Sequence, residues 1–189
     1  MTKMKTIFAV IFLVLLIPVL LKAPESEAKV YRGKYANNTK WSYDTKTKTV
    51  IIECRGELPD DGNGSAGWRD YYLKAKKVIF KKGITSIGAG AFDNFQKLEE
   101  VVLPEGLKAI KASAFFSCYR LKKINVPKTL RTIASDVFIA TKIESFSLRR
   151  VKKIGNMCFL DSKIKEVYLS KDCRSSSLVF WGCEKLKKV

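Results

Sequence analysis

The side chains of this chain that could do chemistry are basic, and they recur at a fixed interval. Lys82, Glu105, Lys128, Arg150 and Lys171 fall at one repeating position, and Thr85, Lys108, Arg131 and Lys152 fall at the next. Cations repeated in this way suit attraction to an anionic polymer, an interaction that weakens with added salt. Covalent and metal chemistry are poorly provided for. Histidine is absent, which removes Ser-His-Asp and Cys-His catalysis and the commonest zinc ligand. Asp60 and Asp61 sit in Leu58–Gly67, a loop by composition rather than a rigid element. Asp61-x-Asn63-x-Ser65 copies the start of a calcium loop, but the twelfth position is Tyr72, where an EF-hand requires a bidentate Glu. No catalytic residue, metal ligand or cofactor is expected. An enzyme of unrecognised type is the remote alternative, and no residue spacing supports one.

A repeat positions these residues. Phe92, Phe115, Phe138, Phe159 and Phe180 are separated by 23, 23, 21 and 21 residues. Each of the first four closes an apolar-x-x-Ile-x-x-x-x-Phe run, as in Leu107 to Phe115 and Leu130 to Phe138. A second pattern follows each ring, as in Leu98-Glu-Glu-Val101-Val-Leu103 and Ile164-Lys-Glu-Val167-Tyr-Leu169. L-x-x-L-x-L at this period is the leucine-rich-repeat pattern. The closing V-x-L alternates, so it predicts a short strand with two inward side chains. Pro104 and Pro127 end two such strands, and Gly83 and Gly106 allow the next turn. The stretch from Phe to the following Leu has the spacing of a helical or 3₁₀ turn. One coil cannot bury its apolar residues alone, whereas stacked coils form a continuous core. The five phenylalanines are therefore expected to form a core ladder. The expected fold is a leucine-rich-repeat solenoid of stacked coils with short parallel β-strands and short helical or 3₁₀ turns, preceded by a small β-rich N-terminal cap. Residues 77–189 hold about five repeats, the last incomplete. Residues 29–76 form the cap, with a hairpin between Trp41 and Ile52.

In its details the repeat resembles the BspA-like leucine-rich-repeat family, as Ile110-Lys-Ala-Ser-Ala-Phe115-Phe-Ser-Cys118-Tyr-Arg-Leu121-Lys-Lys-Ile124-Asn-Val126-Pro127 shows. The third and fourth copies lack one residue between Phe and the next Ile, and they lose the Cys and Pro. The resemblance covers Val78 to Val189. It implies an exported or surface-displayed protein concerned with attachment.

The N-terminus points the same way. Lys3 and Lys5 precede fifteen apolar or proline residues, Ile7 to Leu21, and Ser26-Glu27-Ala28 offers a small-x-small exit. Residues 1–28 are expected to be a secretory signal peptide. As a helix the run would span roughly 22 Å, short of a bilayer core of about 30 Å, and Pro18 interrupts it. Contact with the membrane is expected only through an uncleaved signal segment. Removal of the segment leaves 33 basic and 16 acidic residues, a net charge of +17. Export directs that charge toward an extracellular protein or an anionic glycan or wall polymer rather than nucleic acid.

Register sorts the surfaces. Lys77, Glu100, Lys123, Ser145, Glu166 and Lys188 form one outward column on the strand face, and Ile79, Val102, Asn125, Ser147 and Tyr168 form the one beside it. This mixed face, with Lys123, Asn125, Ser147 and Tyr168 as its polar contacts, predicts a docking surface for protein. The edge beyond the strands, with Lys82, Lys108, Lys128, Arg131, Arg150, Lys152 and Lys171, predicts one for an anionic polymer. Cys118 and Cys183 share a position three coils apart, beyond the reach of a disulfide, so free thiols are expected. Val189 falls in mid-strand, and an open edge there would allow end-to-end self-association.

Overall fold

The computed structural model describes residues 27–61 and 63–187. The expected signal segment up to residue 26, and the C-terminal edge at 188–189, lie outside the described residues. β1 (Val30–Tyr35), β2 (Thr39–Asp44) and β3 (Thr49–Glu53) form an antiparallel meander, followed by β4 (Gly56–Glu57) and a 3₁₀ turn at Gly67–Tyr71. Each later coil contributes two strands. These are β5 (Lys77–Phe80) and β6 (Ile84–Ile87), then β7 (Glu100–Val102) and β8 (Ala109–Ile110), then β9 (Lys123–Ile124) and β10 (Thr132–Ile133). β11 (Ser145–Leu148) and β12 (Lys153–Ile154), then β13 (Glu166–Leu169) and β14 (Arg174–Ser175), complete the set.

β3, β5, β7 and β9 pair in parallel and continue the meander into a six-stranded sheet, while β11 and β13 pair separately. The even-numbered strands from β4 to β14 form a second six-stranded parallel sheet without interruption. The repeat pattern locates a strand only at V-x-L, in the first of these two sheets. The second is carried by Ile87, Ile110, Ile133 and Ile154, in strands mostly of two residues, too short to show an alternation.

The turns between Phe and Leu are not helical. In every coil the residues two before and two after the ring have positive φ: Gly90 and Asn94, Ser113 and Ser117, Asp136 and Ala140, Met157 and Asp161, Leu178 and Gly182. Left-handed residues at this spacing cannot propagate a helix. They turn the intervening N–H groups along the stacking axis instead. Gly90, Phe92 and Asn94 donate to the carbonyls of Ala112, Ala114 and Phe116 on the next coil, and Asp136, Phe138 and Ala140 do the same to Asn156, Cys158 and Leu160.

The aromatic ladder lies inside this arc. Phe92, Phe115, Phe138 and Phe159 are fully buried, and consecutive rings stack with centroids 5.2–5.9 Å apart. Phe180 stacks on Phe159 at 5.6 Å but is only half-buried. Trp68 occupies the preceding position. It is fully buried, stacks on Phe92 at 5.8 Å, and its indole N–H donates to the Ala91 carbonyl at 2.9 Å. Parallel pairing thus begins at β3, in register with β5, and at β4, whose register on β6 shifts between Gly56 and Glu57, both earlier in the chain than Lys77.

The first sheet stops where the repeat shortens. Six residues separate Phe115 from Leu121, but five separate Phe138 from Ile143. The Lys142 N–H still reaches the Leu121 carbonyl, after which β9 and β11 do not pair. β11 and β13, both from shortened coils, pair over four residues, Ser145↔Glu166 to Leu148↔Leu169. The second sheet holds the coils together across the break. Gly155 lies against the backbone of Ala134 and Ser135 so closely that a Cβ would overlap it.

Phe138→Ala should therefore lower unfolding stability by about 3–5 kcal/mol, the usual range for an emptied aromatic core site, as measured by denaturant titration. Phe180→Ala should cost clearly less, since its ring is half-exposed.

Candidate functional site

The strand face is built by side chains that point away from the ladder. Lys77, Glu100 and Lys123 stand side by side on β5, β7 and β9, and Ile51, Ile79 and Val102 form the adjacent row on β3, β5 and β7. These three apolar residues are half-buried. The flanking charges are matched: Lys77 pairs with Glu100 at 2.8 Å, Lys122 with Glu99 at 2.9 Å and Lys165 with Glu144 at 2.8 Å. Lys122 holds the carboxyl of Glu99 below the ordinary carboxylate range, and Lys165 does so for Glu144.

The predicted polar contacts on this face do not form one patch. Asn125 is committed internally, because its Oδ1 accepts from the Leu103 N–H at 2.7 Å and its Nδ2 donates to the Leu103 carbonyl at 2.8 Å. Its side chain replaces the ladder bonds that β9, two residues long, does not make. Lys123 is exposed on one side of the break, and Ser147 and Tyr168 are paired neighbours on the other. The Tyr168 hydroxyl donates to Glu166 at 3.2 Å, and the Arg149 guanidinium lies 4.8 Å from the centre of its ring. A shallow hollow of about 390 Å³ occupies the break, lined by Glu100, Val102, Lys123, Ile124, Asn125 and Ser145 among others.

The basic edge is continuous. The Lys108 N–H donates to the Thr85 carbonyl at 2.8 Å, that of Arg131 to Lys108 at 2.9 Å and that of Lys152 to Arg131 at 2.8 Å, so these residues are adjacent on successive coils. Lys82, Lys108, Lys128, Arg150, Lys152 and Lys171 are exposed, whereas Arg131 is half-buried. The Arg131 guanidinium donates to the carbonyls of Lys128 (2.8 Å) and Leu130 (3.0 Å), so part of its donor set is spent on the turn. Register through the second sheet adds Lys153 and Arg174, paired on β12 and β14 and both exposed. Lys153 and Arg174 stand six residues before Phe159 and Phe180 respectively, so the phenylalanine register and the backbone pairing agree. At the N-terminal end, Lys40, Arg55, Lys81 and Lys82 line a hollow of about 840 Å³ together with Glu53 and Cys54.

Elsewhere the reactive groups serve the fold. Asp61 is buried. Its Oδ1 accepts from the Ala66 N–H at 2.9 Å, and its Oδ2 faces Arg69 at 3.6 Å, which also pairs with Asp93. Asp60 accepts from the Ala89 N–H at 2.9 Å and from Lys111 at 3.2 Å. The Ala89 bond holds its carboxyl below the ordinary range against partial burial. The Asp60–Ser65 stretch thus ties the cap to the first coils. Among the described residues no three Cys, Asp or Glu side chains gather to hold a metal.

All five cysteines are free. Cys118 donates through sulfur to the Phe92 carbonyl at 3.2 Å and Cys183 to that of Phe159 at 3.0 Å. Each thiol thereby satisfies a ladder carbonyl one coil back. Burial raises the pKa of Cys118 and Cys158 far above the ordinary thiol value.

A model of the BspA type leucine-rich-repeat region matches residues 70–187 in six copies. Among solved structures the chain is similar to a leucine-rich-repeat protein from Eubacterium ventriosum, at 21% identity and a TM-score of 0.75, over 85% of this chain and 43% of that one. A leucine-rich-repeat protein from Bacteroides ovatus gives 22% identity and a TM-score of 0.64, over 85% of this chain and 44% of that one. A leucine-rich cell surface protein from Faecalibacterium prausnitzii gives 15% identity and a TM-score of 0.54, over 83% of this chain and 53% of that one. The chain thus spans under half the length of the first two. At these identities the likeness shows the fold. No curated protein matches the chain in sequence.

Thiol labelling checks the assignment of the cysteines. In the native protein Cys54 and Cys173, both half-buried, should react first. Their pKa values are raised by burial, so their rates should climb as pH rises above the ordinary thiol range. Cys118 and Cys158 should label only on unfolding.

Proposed function

This chain belongs to the BspA-type leucine-rich-repeat family, and we propose that it is an exported, non-catalytic binding module that recognises a protein partner across its strand face. The fold and family are generally used for binding proteins rather than for catalysis. One observation carries the choice of surface: Ile51, Ile79 and Val102 stand in register as a half-exposed apolar row. Beside them Lys77 and Glu100 are already paired with one another. A partner can cover the apolar row and this pair without stripping water from an unmatched ion, the usual desolvation penalty of a charged surface. The stacked rings beneath make the face rigid, so little ordering entropy is lost on docking. Tyr168, exposed on the far side of the break, extends the surface with an aromatic group of the kind enriched at interfaces. The apolar run with its basic start, together with the surface description of the Faecalibacterium relative, supports export and surface location.

Two measurements test this reading. The protein recovered from the medium or surface of its host should begin at Lys29, and retention of Met1 in a cytoplasmic pool would refute export. A photo-crosslinking residue at Val102 should capture one defined extracellular protein. The same group at Lys97, off this face, should not, and Ile79→Asp should reduce capture at least tenfold. Equal capture from both positions would refute the strand-face assignment.

A further inference from the structure

The basic edge goes beyond this reading, since it is a second surface with different chemistry. We propose that it binds a linear acidic polysaccharide laid along the stacking axis, across Lys108, Lys152, Lys153 and Arg174. Four observations lead there. First, Lys108, Arg131 and Lys152 follow one another on successive coils, and Lys153 stands beside Arg174 one coil further on, so cations recur at the spacing of one coil, ~4.8 Å. A polymer with one carboxylate or sulfate per sugar can follow such a ruler.

Second, these cations are uncommitted. The ion pairs among the described residues use Arg69, Lys77, Lys111, Lys122 and Lys165. None of Lys82, Lys108, Lys128, Arg150, Lys152 or Arg174 has an acidic partner among them. Glu105 is the acid in the outer column, and its Oε1 accepts from the Lys128 backbone N–H at 3.4 Å, leaving the Lys128 ammonium unused.

Third, no aromatic side chain interleaves the cations. Single-stranded nucleic acid is held by charge together with base stacking, but the exposed rings lie elsewhere: Tyr31 and Tyr72 in the cap, Tyr168 on the strand face, and Tyr119 and Trp181 just after the rings of their coils. The edge offers charge and hydrogen-bond donors alone, which suits a polymer of sugars. Fourth, the track does not end abruptly. Lys82 also lines the 840 Å³ hollow with Lys40, Arg55 and Lys81, where Glu53 is the one acid among the lining residues.

The test uses the purified chain with polygalacturonate as the probe, and neutral dextran, poly(dT) and inorganic polyphosphate as comparisons. Polygalacturonate should bind at about 50 mM salt and bind much more weakly at ten times that concentration. Lys108→Glu, Lys152→Glu, Lys153→Glu and Arg174→Glu together should weaken binding about 100-fold. The same charge change at Lys46, Lys48, Lys74 and Lys97, all exposed and off the track, should weaken it less than about fivefold. Thermal melting checks that both variants fold. The milder Lys108→Gln, Lys152→Gln, Lys153→Gln variant should still lose about tenfold. Equal losses from the track and control variants would overturn the proposal. So would poly(dT) or polyphosphate binding as tightly as polygalacturonate, or retention by neutral dextran.

Discussion

A coil of about 22 residues encloses too little apolar surface to fold alone, so the ring of each coil has to find the ring of the next. The backbone around it is shaped to permit this. Two left-handed residues bracket each of the five phenylalanines, among them non-glycine positions such as Ser113, Asp136 and Met157, a conformation that costs an L-residue roughly 1–2 kcal/mol. That strain is offset by the inter-coil bonds it creates, since the bracketed N–H groups reach carbonyls on the following coil. Packing and hydrogen bonding therefore enforce the same stacking vector. Every outward side chain is placed as a consequence.

The shorter later coils show what happens when part of this arrangement changes and the ladder does not. Phe115 and Phe138 remain stacked at 5.9 Å with nearly parallel planes, although the chain between ring and strand loses a residue from one coil to the next. The mismatch is expelled to the strand face, where β9 shortens and Asn125 takes over hydrogen bonding to Leu103. The second sheet crosses the same coils undisturbed. The two surfaces thus differ in mechanical continuity: the protein-facing sheet is divided into two blocks, and the basic edge rests on a single one.

The ladder, the period and the inward residues of the long strands were legible because each repeats in every coil. What escaped the sequence was of two kinds. Strands of two residues carry no alternation, so the second sheet is visible only through pairing. Substitution of one ring by another hides a coil: Trp68 fills the phenylalanine position, but the residues around it, a 3₁₀ turn rather than the left-handed bracket, share no pattern with the later repeats. The helical turn expected after each Phe failed for a related reason. Apolar spacing reports which residues face inward, and a turn bracketed by left-handed residues presents Phe and Leu inward just as a helix would. Among the site residues, register placed Lys123, Ser147 and Tyr168 outward correctly, but it could not see that Asn125 would be needed by the backbone.

The uneven use of acidic residues is the remaining feature that asks for a cause. Glu99, Glu100 and Glu144 neutralise cations on or beside the strand face, and Glu57 and Asp60 do the same for Lys111. Along the basic edge acids are few: Glu105 stands in the outer column and Asp172 lies between Lys171 and Arg174. Like charges one coil apart repel by about 1 kcal/mol in water before screening, a penalty that grows with every coil added. Placing acids on this edge, as on the strand face, would remove it without disturbing any inward residue. The stacked core is indifferent to the sign of these groups, because their side chains leave it entirely. Folding therefore gives no reason for the segregation, and the repulsion it leaves in place is the quantity that an anion lying along the edge would relieve.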